Sequence, residues 1–201
     1  ENIDEFFKEY ILNNFNNLGY MHDFEMAPLN SNILTTIDFN EKIALICLDC
    51  MSFAEWFALK NHLMEYGIKN CEEGFSLSII PSVTKYSRLS IFEGKTPLSS
   101  DKKNEEKAFK EYIENLGYNK NSVLFKNLRE TDINYEGYEK IGLIYTFIDD
   151  IVHGSINKKM TVLSVMDTLK NLEFAKLISG LLNNSYTVYL TSDHGNVYCK
   201  S

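Results

Sequence analysis

Three nearly continuous apolar runs set the strongest constraint on how this chain can fold. Residues 42–48 lead into Asp49, residues 140–148 lead into Asp149 and Asp150, and residues 186–191 break into Ser192-Asp193-His194-Gly195. Runs without polar alternation suit strands covered on both faces, as in a parallel sheet. Residues 74–80 and 122–125 read as further strands. Between the runs, apolar residues recur at helical spacing. Ser52 is placed to cap a helix over 53–66 that ends at Gly67, shorter helices are expected over 85–92 and 100–116, and a long one is expected over 158–182. Ile3, Phe6, Phe7, Tyr10, Ile11, Phe15 and Leu18 mark an amphipathic helix over 3–18, followed by a polar connector over 19–41. Strands alternating with long crossovers predict an α/β fold, a doubly wound and mostly parallel sheet with helices on both faces.

Composition narrows the function classes. No apolar run reaches ~18 residues, so no membrane span is expected. Twenty basic against 28 acidic residues give a net charge of −8, which disfavours nucleic-acid binding through a broad basic surface. A phosphate-bearing substrate stays open, because bound cations reverse the local field. The acidic start, without Met or an apolar signal core, predicts a piece of a longer chain. Cys47, Cys50, Cys71 and Cys199 have no zinc-finger spacing and read as reduced structural thiols of a cytoplasmic protein, with a Cys-x-x-Cys redox pair as the alternative. His22 and His62 read as ordinary surface or packing residues.

In a parallel sheet the carboxyl ends of the strands share one edge, where ligands collect. Asp49, Ser82-Val83-Thr84, Asp149-Asp150 with His153, and Asp193-His194 would all stand there. Carboxylates with imidazoles suit divalent ions such as zinc or manganese, and carboxylates crowded without a cation would repel. Each group also has an ordinary reading alone. Asp193-His194-Gly195 fits a turn, Thr84 a helix cap, Arg88 a solvated helix residue, and Asp150 a cap or a supporting residue.

The order of apolar strand–Asp, Pro-Ser-x-Thr, Asp-x-x-x-His and Ser-Asp-His-Gly resembles the alkaline phosphatase superfamily. Within it, Ile80-Pro81-Ser82-Val83-Thr84-Lys85-Tyr86-Ser87-Arg88 followed by Phe92-Glu93-Gly94-Lys95 is similar to the PglZ domain, known from BREX phage-defence systems and from fusions to response-regulator receivers. The resemblance covers roughly residues 40–200, and implies an N-terminal helix and connector over 1–40 before a PglZ domain over 41–201. It implies that Thr84 is the nucleophile and a metal ligand. Asp49, Asp193 and His194 correspond to ligands of the ion that activates it. Asp149 and His153 correspond to ligands of a second ion, and Arg88 to a phosphate-binding residue. The departures are Cys50-Met51-Ser52 where many members carry an Arg, and no histidine after His194 for the second ion. One well-formed zinc site is therefore expected, with manganese or magnesium as alternatives, and a second that is incomplete or a fold that is truncated.

Two functions follow from the resemblance. The first is a metal-dependent phosphohydrolase acting on a phosphate ester such as a nucleotide or oligonucleotide. The second is a catalytically weak regulatory or scaffolding module among defence-system protein partners.

Overall fold

A computed structural model of the chain describes residues 29–80, 82–96, 103–129, 131–155 and 157–196, together with residues 5, 8, 9, 12 and 13, which are helical. The rest of the helix expected over 3–18, His22 and Cys199 lie outside the described residues. Strands β1 (Lys42–Leu48), β2 (Val123–Leu128), β3 (Lys140–Tyr145) and β4 (Tyr186–Thr191) form one sheet in the order β2-β3-β1-β4. Every pairing is parallel.

The period-two geometry of β1 distributes the core. Ile43, Leu45 and Cys47 face one apolar cluster, with Leu34, Ile37, Phe39, and helices α2 (Thr84–Glu93) and α3 (Glu105–Asn115). Ala44, Ile46 and Leu48 face another, closed by helices α1 (Phe53–Glu65), α5 (Lys158–Asn171) and α6 (Phe174–Asn183). Helices thus cover both faces of a parallel sheet, the doubly wound arrangement expected of an alkaline phosphatase-like fold. Among the described residues no helix is long and apolar enough to cross a membrane.

Gly142 opens the first cluster to large rings. A Cβ there would stand 2.6 Å from the Phe125 ring, which lies edge-on to Phe92 at a centroid distance of 5.0 Å. Both atoms belong to packed strand positions, so neither yields cheaply. Gly142→Ala is expected to cost about 1–3 kcal/mol by urea unfolding, as overpacked cores do.

Several expectations are corrected. Residues 74–80 form no strand; their backbone pairing is a single bridge from Leu77 to Leu29, where Asn30 N–H donates to the Leu77 carbonyl at 2.8 Å. The segment leading into β1 is no loose connector, since a 3-10 helix (Asn30–Thr36) buries Leu34 and Asn30. The strand expected through residue 148 stops at Tyr145, and a helix α4 (Phe147–Gly154) begins almost at once. Asp149 and Asp150 therefore sit in the first turn of α4, where negative charge suits the helix dipole. The helix expected over 158–182 breaks between α5 and α6 at Glu173, which adopts a left-handed φ of 53°. An unbroken helix of that length would run ~37 Å, well beyond strands of six residues at ~3.3 Å each. The break lets the apolar side of α6 return to the sheet. β4 was expected to be buried, but among the described residues it pairs only with β1, and its residues after Tyr186 are exposed or half-buried.

Candidate metal centre

Strand register brings the two key carboxylates together. Cys47 pairs with Thr191 on adjacent strands, so Asp49 and Asp193 each stand two residues beyond the same rung. Asp49 continues the ladder on its other side, donating its N–H to the Tyr145 carbonyl at 2.9 Å. Cys50 then takes a left-handed φ of 66° and turns the chain toward α1. Its N–H donates to Asp193 Oδ1 at 3.1 Å, and the N–H of His194 donates to the same oxygen at 2.9 Å. One face of the Asp193 carboxylate is thereby fixed, and the other is left free.

Those free oxygens converge. Asp193 Oδ2 and Asp49 Oδ1 are both buried and have no hydrogen-bond partner among the described residues. They lie 3.6 and 3.9 Å from His194 Nε2. One ligand atom from each of Asp49, Asp193 and His194 lies within 4.8 Å of the others. The imidazole is oriented by its second nitrogen, since Nδ1 stands 3.0 Å from the Gly195 carbonyl, an acceptor. A neutral ring must therefore carry its proton on Nδ1, leaving the Nε2 lone pair free to coordinate. Thr84 Oγ1 stands 2.8 Å from that same Nε2. The N-cap of α2 is Val83, so Thr84 is the first helical residue rather than the cap, and its hydroxyl meets the His194 imidazole.

The electrostatics match a cation site. Burial, then the neighbouring Asp193 carboxylate, pushes Asp49 up to about 7 against the opposing pull of Arg88. Two buried carboxylates with orphaned oxygens are costly unless something positive comes between them. The donor set of two carboxylate oxygens and one imidazole fits a divalent ion of the zinc or manganese type.

Arg88, one turn beyond Thr84, is no solvated helix residue. Its Nη1 donates to Asp49 Oδ2 and its Nε to Glu105 Oε1, both at 2.8 Å. Glu105 has no sequence signal as a site residue, because it lies in a charged helix that reads as ordinary surface. The two loops bearing ligands are also clasped from behind. Asn196 Nδ2 donates to the Cys50 carbonyl at 2.8 Å and to Glu55 Oε2 at 3.1 Å, and Lys158 Nζ donates to Asn196 Oδ1 at 2.8 Å. Glu55 is fully buried yet held below the usual carboxylate range; burial works against the charge, and Ser52, Asn196 and Lys158 overcome it. The capping-box spacing of Ser52 and Glu55 is the signal that could have marked it.

Asp149 and His153 are not part of the three-ligand cluster. They meet each other on one side of α4, with His153 Nε2 3.4 Å from Asp149 Oδ1 and the imidazole 79% exposed. Asp149 faces the centre closely enough to act on Cys50. Burial, followed by the Asp149 carboxylate, pushes that thiol up to about 12. Cys47 is likewise raised by burial and then by Asp193, so the Cys-x-x-Cys pair is not poised as thiolates. Asp150 turns away toward Arg129, 3.9 Å distant.

The profile of the BREX system PglZ alkaline phosphatase-like domain matches residues 29–201. The chain belongs to the PglZ family. A comparison with curated proteins returned no match. Membership places the Asp49–Asp193–His194 cluster in an alkaline phosphatase-like setting, a family that implies divalent metal use and phosphate-ester substrates. The match begins at residue 29, next to the buried 3-10 helix.

Proposed function

We propose that this PglZ domain is a metal-dependent phosphohydrolase with Thr84 as its nucleophile, acting on a phosphodiester such as a nucleotide or oligonucleotide. The observation that carries the reading is the meeting of two orphaned buried carboxylate oxygens and an oriented imidazole nitrogen beside the Thr84 hydroxyl. Asp49, Asp193 and His194 would hold one ion, with zinc favoured by the mixed nitrogen and oxygen donors. When bound, a divalent ion supplies Lewis acidity that lowers the pKa of a coordinated hydroxyl and neutralises phosphoryl charge.

The chain's own residues do the rest. Thr84 sits at the start of α2, so its Oγ1 is held by a helix rather than a mobile loop. Its oxygen attacks phosphorus, the bond to the leaving alkoxide breaks and the hydroxyl proton ends on that departing oxygen, and water then cleaves the phosphothreonine ester and restores the hydroxyl. Arg88, already aimed at the cluster by Glu105, binds phosphoryl oxygens through its planar fork. Asp149 and His153 would serve a second ion.

The separation of Asp149 and His153 from the three-ligand cluster favours a second reading, a binding or scaffolding module with weak turnover. Bis-p-nitrophenyl phosphate distinguishes the two. The chain stripped with EDTA is expected to lose hydrolysis and to recover it with zinc or manganese. Equal rates before and after stripping would overturn the metal reading. Tight metal binding with no turnover above background would favour the module.

A further inference from the structure

The carbonyl oxygen of Asp193 is gripped by side chains from three separate parts of the chain. Ser87 Oγ stands 2.5 Å from it, Ser78 Oγ 2.6 Å, and Asn30 Nδ2 3.1 Å. The two serine oxygens are 2.7 Å apart, and Asn30 Nδ2 also donates to Ser87 Oγ at 2.9 Å. Two hydroxyl protons must serve three short oxygen–oxygen contacts, so the hydroxyl that does not reach the carbonyl donates to its neighbour. The Asn30 amide donates to both the carbonyl and Ser87, and its own oxygen accepts from Ser90 Oγ at 3.1 Å. Asn30, Ser87 and Ser90 are buried, and networks of this kind are costly to disturb when fully satisfied.

A fold needs no such investment to hold one carbonyl. The placement suggests another purpose. Ser87 lies three residues after Thr84 on α2, and Asp193 immediately precedes His194. The Asp193 carboxylate is held independently, by the N–H groups of Cys50 and His194. The Ser87 link therefore joins the helix carrying the nucleophile to the loop carrying two ligands, without being needed to shape the ligand set itself. We infer that Ser87, supported by Asn30 and Ser78, is a positioning residue that sets the distance between the Thr84 hydroxyl and the Asp193–His194 ligand loop. Thr84, Ser87 and Ser90 recur at i, i+3 and i+6 on α2, so small hydroxyl residues form a stripe on its inner side. The inference rests on the metal reading above.

Cobalt(II) tests it, because its visible absorption reports the ligand geometry without requiring turnover. Ser87→Ala and the half-buried Ser78→Ala are each compared with the parent chain and with Thr84→Ala. Ser87→Ala is expected to bind cobalt within about threefold of the parent. Its absorption band should shift in the same direction as that of Thr84→Ala. Its kcat should fall roughly 10- to 100-fold with KM little changed, the scale of an ångström-level misplacement. Ser78→Ala should show the same pattern at smaller size, and it decides the matter if Ser87→Ala does not fold. A parental spectrum and kcat in both variants, with only a lower Tm, would make the network merely structural and overturn the inference. Failure of the parent to bind cobalt would remove the metal reading first and the positioning role with it, an outcome visible before any variant is made.

Discussion

Thr84→Ala is expected to reduce hydrolysis of bis-p-nitrophenyl phosphate by at least roughly 10³-fold, the scale seen when the nucleophile of a working unit is deleted. The substitution removes a hydroxyl and a methyl group from a half-buried position at the start of α2, where alanine is a good helix former. The hydrogen bond lost is the one to His194 Nε2, and Nε2 then faces the two carboxylate oxygens alone. Folding should survive, and metal should still bind through Asp49, Asp193 and His194. Loss of activity with retained metal separates a nucleophile from a ligand whose removal empties the site. Thr84→Ser, which keeps the hydroxyl, should retain most of the rate. A Thr84→Ala variant as active as the parent would end the nucleophile assignment, whatever its metal content.

How much of this could be read along the chain depends on the range of the interactions concerned. The apolar runs, the cap at Ser52 and the stop at Gly67 are local, and each appears in the structure. Asp49, Asp193 and His194 meet because the adjacent parallel strands β1 and β4 end on one edge, and Thr84 joins them from the start of α2. The register that makes Asp49 and Asp193 level is a property of pairing across more than a hundred residues, which no local pattern contains. The same holds for the Asn30–Ser78–Ser87 grip and for Glu105 behind Arg88. Residues 74–80 show the opposite failure. Their alternating apolar pattern is that of a strand, yet the segment bonds to residues 29 and 30 and to the Asp193 loop instead of to the sheet. The break at Glu173 is likewise set by the length of the sheet that α6 must return to, and not by a glycine or proline at the break.

Asp49→Asn should act with opposite signs in the metal-free and metal-loaded chain. Burial and Asp193 raise Asp49 to about 7, far above the ~3.9 of an unfolded carboxylate. The folded chain therefore retains a proton that the unfolded chain has already released between about pH 4 and 7. Metal-free stability accordingly falls as pH rises through that window, by on the order of 2–4 kcal/mol. Asparagine is neutral throughout, so the metal-free variant should match the parent near pH 4 and exceed it above pH 7. Metal reverses the order. An ion at a thousand times its Kd adds about 4.1 kcal/mol, or about 8–16 °C in a chain of this size, enough to offset the metal-free deficit, and only the parent keeps both carboxylates to hold it.

The thermal midpoint at pH 8, measured for the parent and for Asp49→Asn before and after addition of excess zinc, tests the Asp49–Asp193–His194 centre most directly. The centre predicts that Asp49→Asn starts higher and gains nothing, while the parent starts lower and rises by several degrees. A parent that gains nothing from zinc, or a variant that gains as much as the parent, would contradict it.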